Sequence, residues 1–302
     1  MAALKVGADL AFVFTAQEAA IPLKCYGPEL MVLSMYSVAE FDLAASSEER
    51  EQLVARGVAK VKEALSRVHA LLIGPGLGRH PQVMHLVAEV ISVAKEMELP
   101  LVIDADGLHL VTRRPDLVHG YPNLVLTPNA AEFARLRDAV LLGQSPRNET
   151  HRPSDPSASA PSADLAEARA AAVTADLAQV SAALGNVPIL LKGAADVTAQ
   201  GGRLLQVSGE QGSPRRCGGM GDILSGATVV LLTWALRSDQ GKGLETAGGE
   251  LDFPQALWAA WAASILTKRS AAKAFSKHKR STTAPDVLEE LGGVGDEMFP
   301  VA

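Results

Sequence analysis

Four short runs that are apolar from end to end set the limits on this fold: Ala70–Ile73, Leu101–Ile103, Leu124–Leu126 and Ile189–Leu191. A strand with no polar face cannot lie half in water, so each must be covered on both sides. Segments with helical periodicity stand between them. Glu48–Val68 carries Leu53, Val54, Val58, Val61 and Leu65 on one face and charge on the other, and Pro81–Glu98 follows the next strand. Apolar strands alternating with helices imply a parallel sheet with helices on both faces, an α/β class. Ala11–Thr15 and Leu30–Met35 add strands, and Val197–Gln200 with Leu204–Val207, joined at Gly201-Gly202, reads as a hairpin on the sheet edge. Late helices are expected over Ile223–Leu236, Leu251–Phe275 and Pro285–Leu291.

The 302 residues could hold one large α/β domain or two small ones, with 48% hydrophobic and 21% charged residues and a net charge of −6. That acidic balance argues against a nucleic-acid surface, which needs a basic face. The two cysteines, Cys25 and Cys217, lie far apart without metal-ligand spacing, which suits a reducing compartment. The seven histidines show no metal spacing either. No run reaches the length of about 20 apolar residues that spans a bilayer, so a soluble, cytoplasmic protein without membrane contact is expected. Gly143–Ala163, rich in proline and serine, is expected to be a flexible surface insertion, and Ser238–Glu250 a second loose loop.

In open parallel sheets ligands bind beyond the carboxyl ends of the strands. There the four runs end in Gly74-Pro75-Gly76-Leu77-Gly78, Asp104-Ala105-Asp106-Gly107, Thr127-Pro128-Asn129-Ala130-Ala131-Glu132 and Lys192-Gly193-Ala194-Ala195-Asp196. Either Asp104 or Asp106 can cap the next helix, and Asn129 with Glu132 can form a capping pair as readily as a ligand pair. The richest signal is Gly212-Ser213-Pro214-Arg215-Arg216-Cys217-Gly218-Gly219-Met220-Gly221-Asp222, which runs straight into an apolar helix. Glycines let backbone N–H groups face a ligand, and a helix N-terminus offers unpaired donors and a positive pole for a phosphate. Asp222 stands at the helix start, where a carboxylate can cap it or serve as a base. No Walker A loop is present.

Taken in order, these segments resemble the ATP-dependent NAD(P)H-hydrate dehydratase family, a branch of the ribokinase-like kinases. The resemblance rests on His69–Arg79, Val102–Leu108, Leu126–Asn129 with Glu132, Lys192-Gly193 with Asp196, Arg215–Gly226 and Arg280–Thr283. It implies a ribokinase-like three-layer sandwich and an ATP-dependent dehydration of the hydrated nicotinamide ring of NADHX or NADPHX. It also implies roles for individual residues. Asp222 would be the catalytic base, with Gly219 and Gly221 stabilising developing charge. Lys192, Gly193, Ala194, Ala195 and Asp196 would line ATP together with Gly212, Ser213, Pro214, Arg215, Arg216, Cys217, Gly218, Gly219, Met220 and Gly221. Gly76, Asn129, Ala130, Ala131, Glu132, Phe133, Ala134, Arg135 and Asp222 would touch the hydrated dinucleotide. Glu132 would meet Mg2+ indirectly.

Two departures stand out. Ala194 and Ala195 replace the charged residues common after the family's Lys-Gly pair. Met1–Asp9 also matches the last turns of a helix that members precede with a strand and a Gly-rich loop, so a single domain lacking both is expected. Two alternatives therefore stay open: a vitamin-type or small-alcohol kinase of the same fold, and a catalytically impaired short form. A homo-oligomer is compatible with the sequence, as is mitochondrial targeting of a longer form.

Overall fold

The computed structural model describes residues 1–144, 163–207, 210–238, 245–246, 249–250 and 254–300. The chain begins with α1 (Ala2–Val6), β1 (Ala11–Ala16), α2 (Gln17–Lys24), β2 (Leu30–Tyr36), α3 (Val38–Leu43) and α4 (Ser47–Leu65). It continues with β3 (Leu71–Ile73), α5 (Pro81–Glu96), β4 (Leu101–Ile103), α6 (Ala105–Arg113), β5 (Leu124–Leu126), α7 (Ala130–Leu142) and α8 (Ala163–Ala183). Then come β6 (Ile189–Leu191), β7 (Val197–Gln200), β8 (Arg203–Gln206), α9 (Met220–Arg237), β9 (Glu245–Thr246), β10 (Gly249–Glu250), α10 (Gln255–His278) and α11 (Ala284–Met298).

The main sheet has the order β3-β4-β5-β6-β7-β8. β3 to β6 are parallel and β6-β7-β8 antiparallel, the expected edge hairpin turning at Gly201 with φ +58. β1 and β2 pair with each other in parallel as a separate ribbon. Alternation along each short strand builds the three layers. Leu101 and Ile103, Leu124 and Leu126, and Ile189 and Leu191 enter one core with α4, α5, α7 and α8. Val102, Val125 and Leu190 enter the other with α1, α9, α10 and α11. By length and composition α9 could cross a membrane. Here Ile223–Leu232 are buried, with α1 and α10 packed against the helix.

Some expectations shift. The helix expected from Ile223 starts at Met220, because Gly219 adopts φ +89 and becomes its N-cap. The last helix runs past Leu291 through Gly292 and Gly293 to Met298, held by buried Val294. α8 follows the proline- and serine-rich stretch, where no helix was expected, and anchors through Leu177 and Val180. Most of that expected insertion lies outside the described residues, as does much of the loose loop Ser238–Glu250.

Candidate active site

The carboxyl ends of β3 to β6 converge with the N-terminus of α9. Gly74 follows β3 with φ +129, and a Cβ there would stand 1.7 Å from the Asp104 carbonyl oxygen, so no other residue lets these two chain segments meet. Asp104 follows β4 and caps α6, its Oδ1 accepting from Ala105 N at 2.8 Å. The same oxygen accepts from Lys192 Nζ at 2.7 Å, so this buried carboxylate reaches the end of β6. Lys192 N in turn donates to Pro128 O at 2.9 Å, which aligns the ends of β5 and β6.

Gly221 closes the ring. A Cβ on it would lie 3.5 Å from Lys192 Nζ and 3.7 Å from Asp104 Oδ2. Asp222, the next residue, is therefore the third residue of α9 rather than its cap. Gly219 supplies no side-chain cap, which leaves first-turn N–H donors available to an anion. Burial is the main cause that pushes the Asp222 carboxyl above its ordinary range; the negative charge of Asp104 adds to the rise and the Lys192 ammonium opposes it. Asp222 is solvent-accessible, so water screens part of each effect.

The approach to the loop is tied down from both sides. Arg215 N donates to Ser213 Oγ at 3.0 Å, and its guanidinium donates to the Arg280 carbonyl. That bond brings the Arg280–Thr283 segment against the glycine loop, and a Cβ on Gly219 would lie 3.1 Å from Ala284 Cβ. Gly212 passes Lys268, while Pro214, Arg216 and Gly218 are exposed; Cys217 is a partly buried free thiol.

The other expected residues divide. Gly193, Ala194 and Ala195 are exposed at the end of β6. Asp196 is buried instead: it accepts from Gly193 N at 2.7 Å and from Ser264 Oγ at 2.6 Å, with Lys268 Nζ at 3.5 Å. It holds the loop from beneath, where an aspartate so placed must satisfy its charge internally. Asn129 and Glu132 form a full capping box on α7, with Asn129 N donating to Glu132 Oε2 at 2.8 Å. Phe133 turns its side chain into the core at 4% exposure, so only its backbone is left for the role expected of it. Ala130 and Arg135 are exposed, Ala131 and Ala134 partly so.

Gly76 is exposed with φ +69, in a loop pinned where Gly78 N donates to Asp106 Oδ2 at 3.0 Å and Arg79 Nε to Asp106 Oδ1 at 2.8 Å. His109 lies among these groups. Burial, then the charges of Arg79 and Arg113, hold its imidazole below the usual range, against the opposing charge of Asp106. This side of the site is cationic. A separate cleft between β2, α3 and α4, lined by Tyr36, Glu40, Arg56 and Lys60, contains none of the expected site residues, and Arg56 there pairs with Glu40.

Asp104, Asp106 and Lys268 stand among the site's residues although sequence reasoning gave them no role there. Asp104 and Asp106 gave a signal in their place at a strand end; Lys268, inside α10, gave none.

Residues 1–292 match a family model described as NAD(P)H-hydrate dehydratase. The ATP-dependent (S)-NAD(P)H-hydrate dehydratase of Rattus norvegicus is 40% identical over 299 residues, covering 99% of this chain and 74% of its own. The protein of the same description from Homo sapiens is 39% identical over 299 residues, covering 99% and 73%. Among solved structures, a ribokinase-like superfamily protein from Enterococcus faecalis superposes with a TM-score of 0.63 at 19% identity, covering 98% of this chain and 80% of that one.

Proposed function

The chain belongs to the NAD(P)H-hydrate dehydratase family, and from that membership and the geometry of the site we infer the reaction it carries out. It uses ATP to dehydrate the hydrated nicotinamide ring of the S epimers of NADHX and NADPHX, regenerating NADH or NADPH with release of ADP and phosphate. The observation that carries the mechanism is the carboxylate of Asp222 on the first turn of α9, whose N-terminus has no side-chain cap.

Asp222 accepts the proton of the ring hydroxyl as the hydroxyl oxygen bonds to the γ-phosphorus of ATP. The bond from that phosphorus to the β–γ bridging oxygen breaks, and ADP leaves with its electron pair. Backbone N–H groups of the Gly219–Gly221 turn stabilise the charge that develops on the phosphoryl oxygens. Lys192 adds its ammonium, 2.7 Å from Asp104 and beside Gly221. The phosphorylated ring then loses phosphate with the C–O electron pair, and loss of a proton from the adjacent carbon restores the double bond.

ATP lies along Lys192–Ala195 and Gly212–Gly221, with Asp196 setting the course of the first of these segments. Gly76 and the exposed residues of Asn129–Arg135 face the hydrated dinucleotide, where Arg79 and Arg135 suit its phosphates. Among the described residues no three His, Cys, Asp or Glu side chains gather as a metal cage. Mg2+ is held largely by substrate phosphates and water with few carboxylates, and Glu132, whose Oε2 accepts from Asn129 N, would meet it through water. Bound there, Mg2+ would neutralise phosphate charge during transfer.

The test is to supply hydrated NADH and ATP and to follow absorbance at 340 nm alongside ADP release. Restored absorbance equimolar with ADP is expected. ADP with a stable phosphorylated alcohol and no restored absorbance would instead make the protein a small-alcohol kinase.

A further inference from the structure

Among the described residues of this site Asp104 is the most deeply buried carboxylate: its side chain is 2% exposed, against 8% for Asp196. It is held by more than its own side chain. Its carbonyl accepts from Gly107 N at 2.9 Å and leaves no room for a Cβ on Gly74, its N–H donates to Ile73 O at 3.0 Å, and Ala105 after it takes φ +48. A left-handed alanine is strained and survives only where the surroundings over-determine it.

The product of this constraint is one contact, Oδ1 to Lys192 Nζ across two strand ends, with both groups against Gly221. Capping α6 does not require it. A buried ion pair is a poor source of stability, because desolvation consumes most of its attraction. Its effect is on position: a lysine ammonium on a four-carbon stem has many rotamers, and one fixed partner selects among them.

We propose that Asp104 is a positioning residue for phosphoryl transfer, holding the Lys192 ammonium beside Gly221 so that it meets the transferring phosphoryl group rather than bulk water. Asp104 touches neither ATP nor the hydroxyl. It acts through Lys192, and the assignment rests on the reading of Asp222 and the glycine turn as the catalytic centre. Its loss therefore falls on kcat more than on the KM for ATP, because the glycine turn still grips the nucleotide.

The experiment is a cycle of Asp104→Asn, Lys192→Met and the double variant, with Asp104→Glu as the charge-conserving control. Asparagine caps helices as well as aspartate, so Asp104→Asn keeps the start of α6. The expected result for each single variant is a kcat lower by about a hundredfold with the KM for ATP changed only a few-fold. The double variant should be no slower than Lys192→Met alone, and Asp104→Glu should recover part of the loss. If Asp104→Asn does not fold, Lys192→Met against the double variant still decides, since the double buries no unpaired charge.

Wild-type kcat in Asp104→Asn, multiplying losses in the double variant, or recovery of the rate by excess Mg2+ would each overturn the proposal. Asp222→Asn is assayed in parallel. If it is inactive while Asp104→Asn is normal, only the Asp104 assignment falls; if it is active, the reading of the whole centre falls with it.

Discussion

Asp222 must be ionised to accept a proton, and its surroundings set the pH at which it is. Burial and Asp104 both raise its pKa above the ordinary 3.8, while Lys192 lowers it. kcat/KM should therefore rise with pH along an acid limb lying above the ordinary aspartate range. Removing the negative neighbour in Asp104→Asn should move that limb to lower pH, and removing the positive one in Lys192→Met should move it higher. pH–rate profiles of the three proteins check both signs; a limb that stays put in both variants would disconnect the trio. Gly74 allows a second test at a single residue. Alanine there meets both the φ of +129 and the carbonyl 1.7 Å away, so Gly74→Ala should cost more than about 2 kcal/mol in denaturant unfolding and displace Asp104. Asp222 and the glycines were legible in sequence because their chemistry is contiguous. The Asp104–Lys192 contact was not, since 88 residues separate its partners and only the sheet brings them together.

Helix starts govern which groups face the site. The capping box of Asn129 and Glu132 fixes the first turn of α7, so Asn129→Ala should lower stability by about 1 kcal/mol and weaken use of the hydrated dinucleotide. Thermal melting and the KM for that substrate measure the two effects, and a change in neither would remove the cap from the site. The short strands were readable element by element: Leu101-Val102-Ile103 is apolar throughout because its alternate side chains enter opposite cores. Helix ends were less readable. The left-handed Gly219 starts α9 before its apolar run, and α11 continues through Gly292-Gly293 because Val294 is buried, a tertiary gain that outweighs glycine's poor helix propensity. α8 escaped notice because its alanine-rich sequence has no clear polar face to mark its period.

At the scale of the molecule, two cores clamp one sheet, and every expected strand-end segment contributes to a single rim. The order of the motifs made that architecture and the family legible, whereas the pairing of β1 with β2 apart from the main sheet was not, since both runs resemble the other strands. A site spread over so many elements links ligand to fold: ATP at a hundredfold excess over its Kd should add about 2.7 kcal/mol of stability, read as a rise in melting temperature. In the proposed reaction, binding to the glycine turn and proton removal by Asp222 are separable tasks, and one variant separates them. With Asp222→Asn, the ATP-dependent rise in melting temperature should persist while restoration of NADH from its hydrate falls by about a thousandfold. Turnover close to that of the unaltered protein would contradict the role of Asp222.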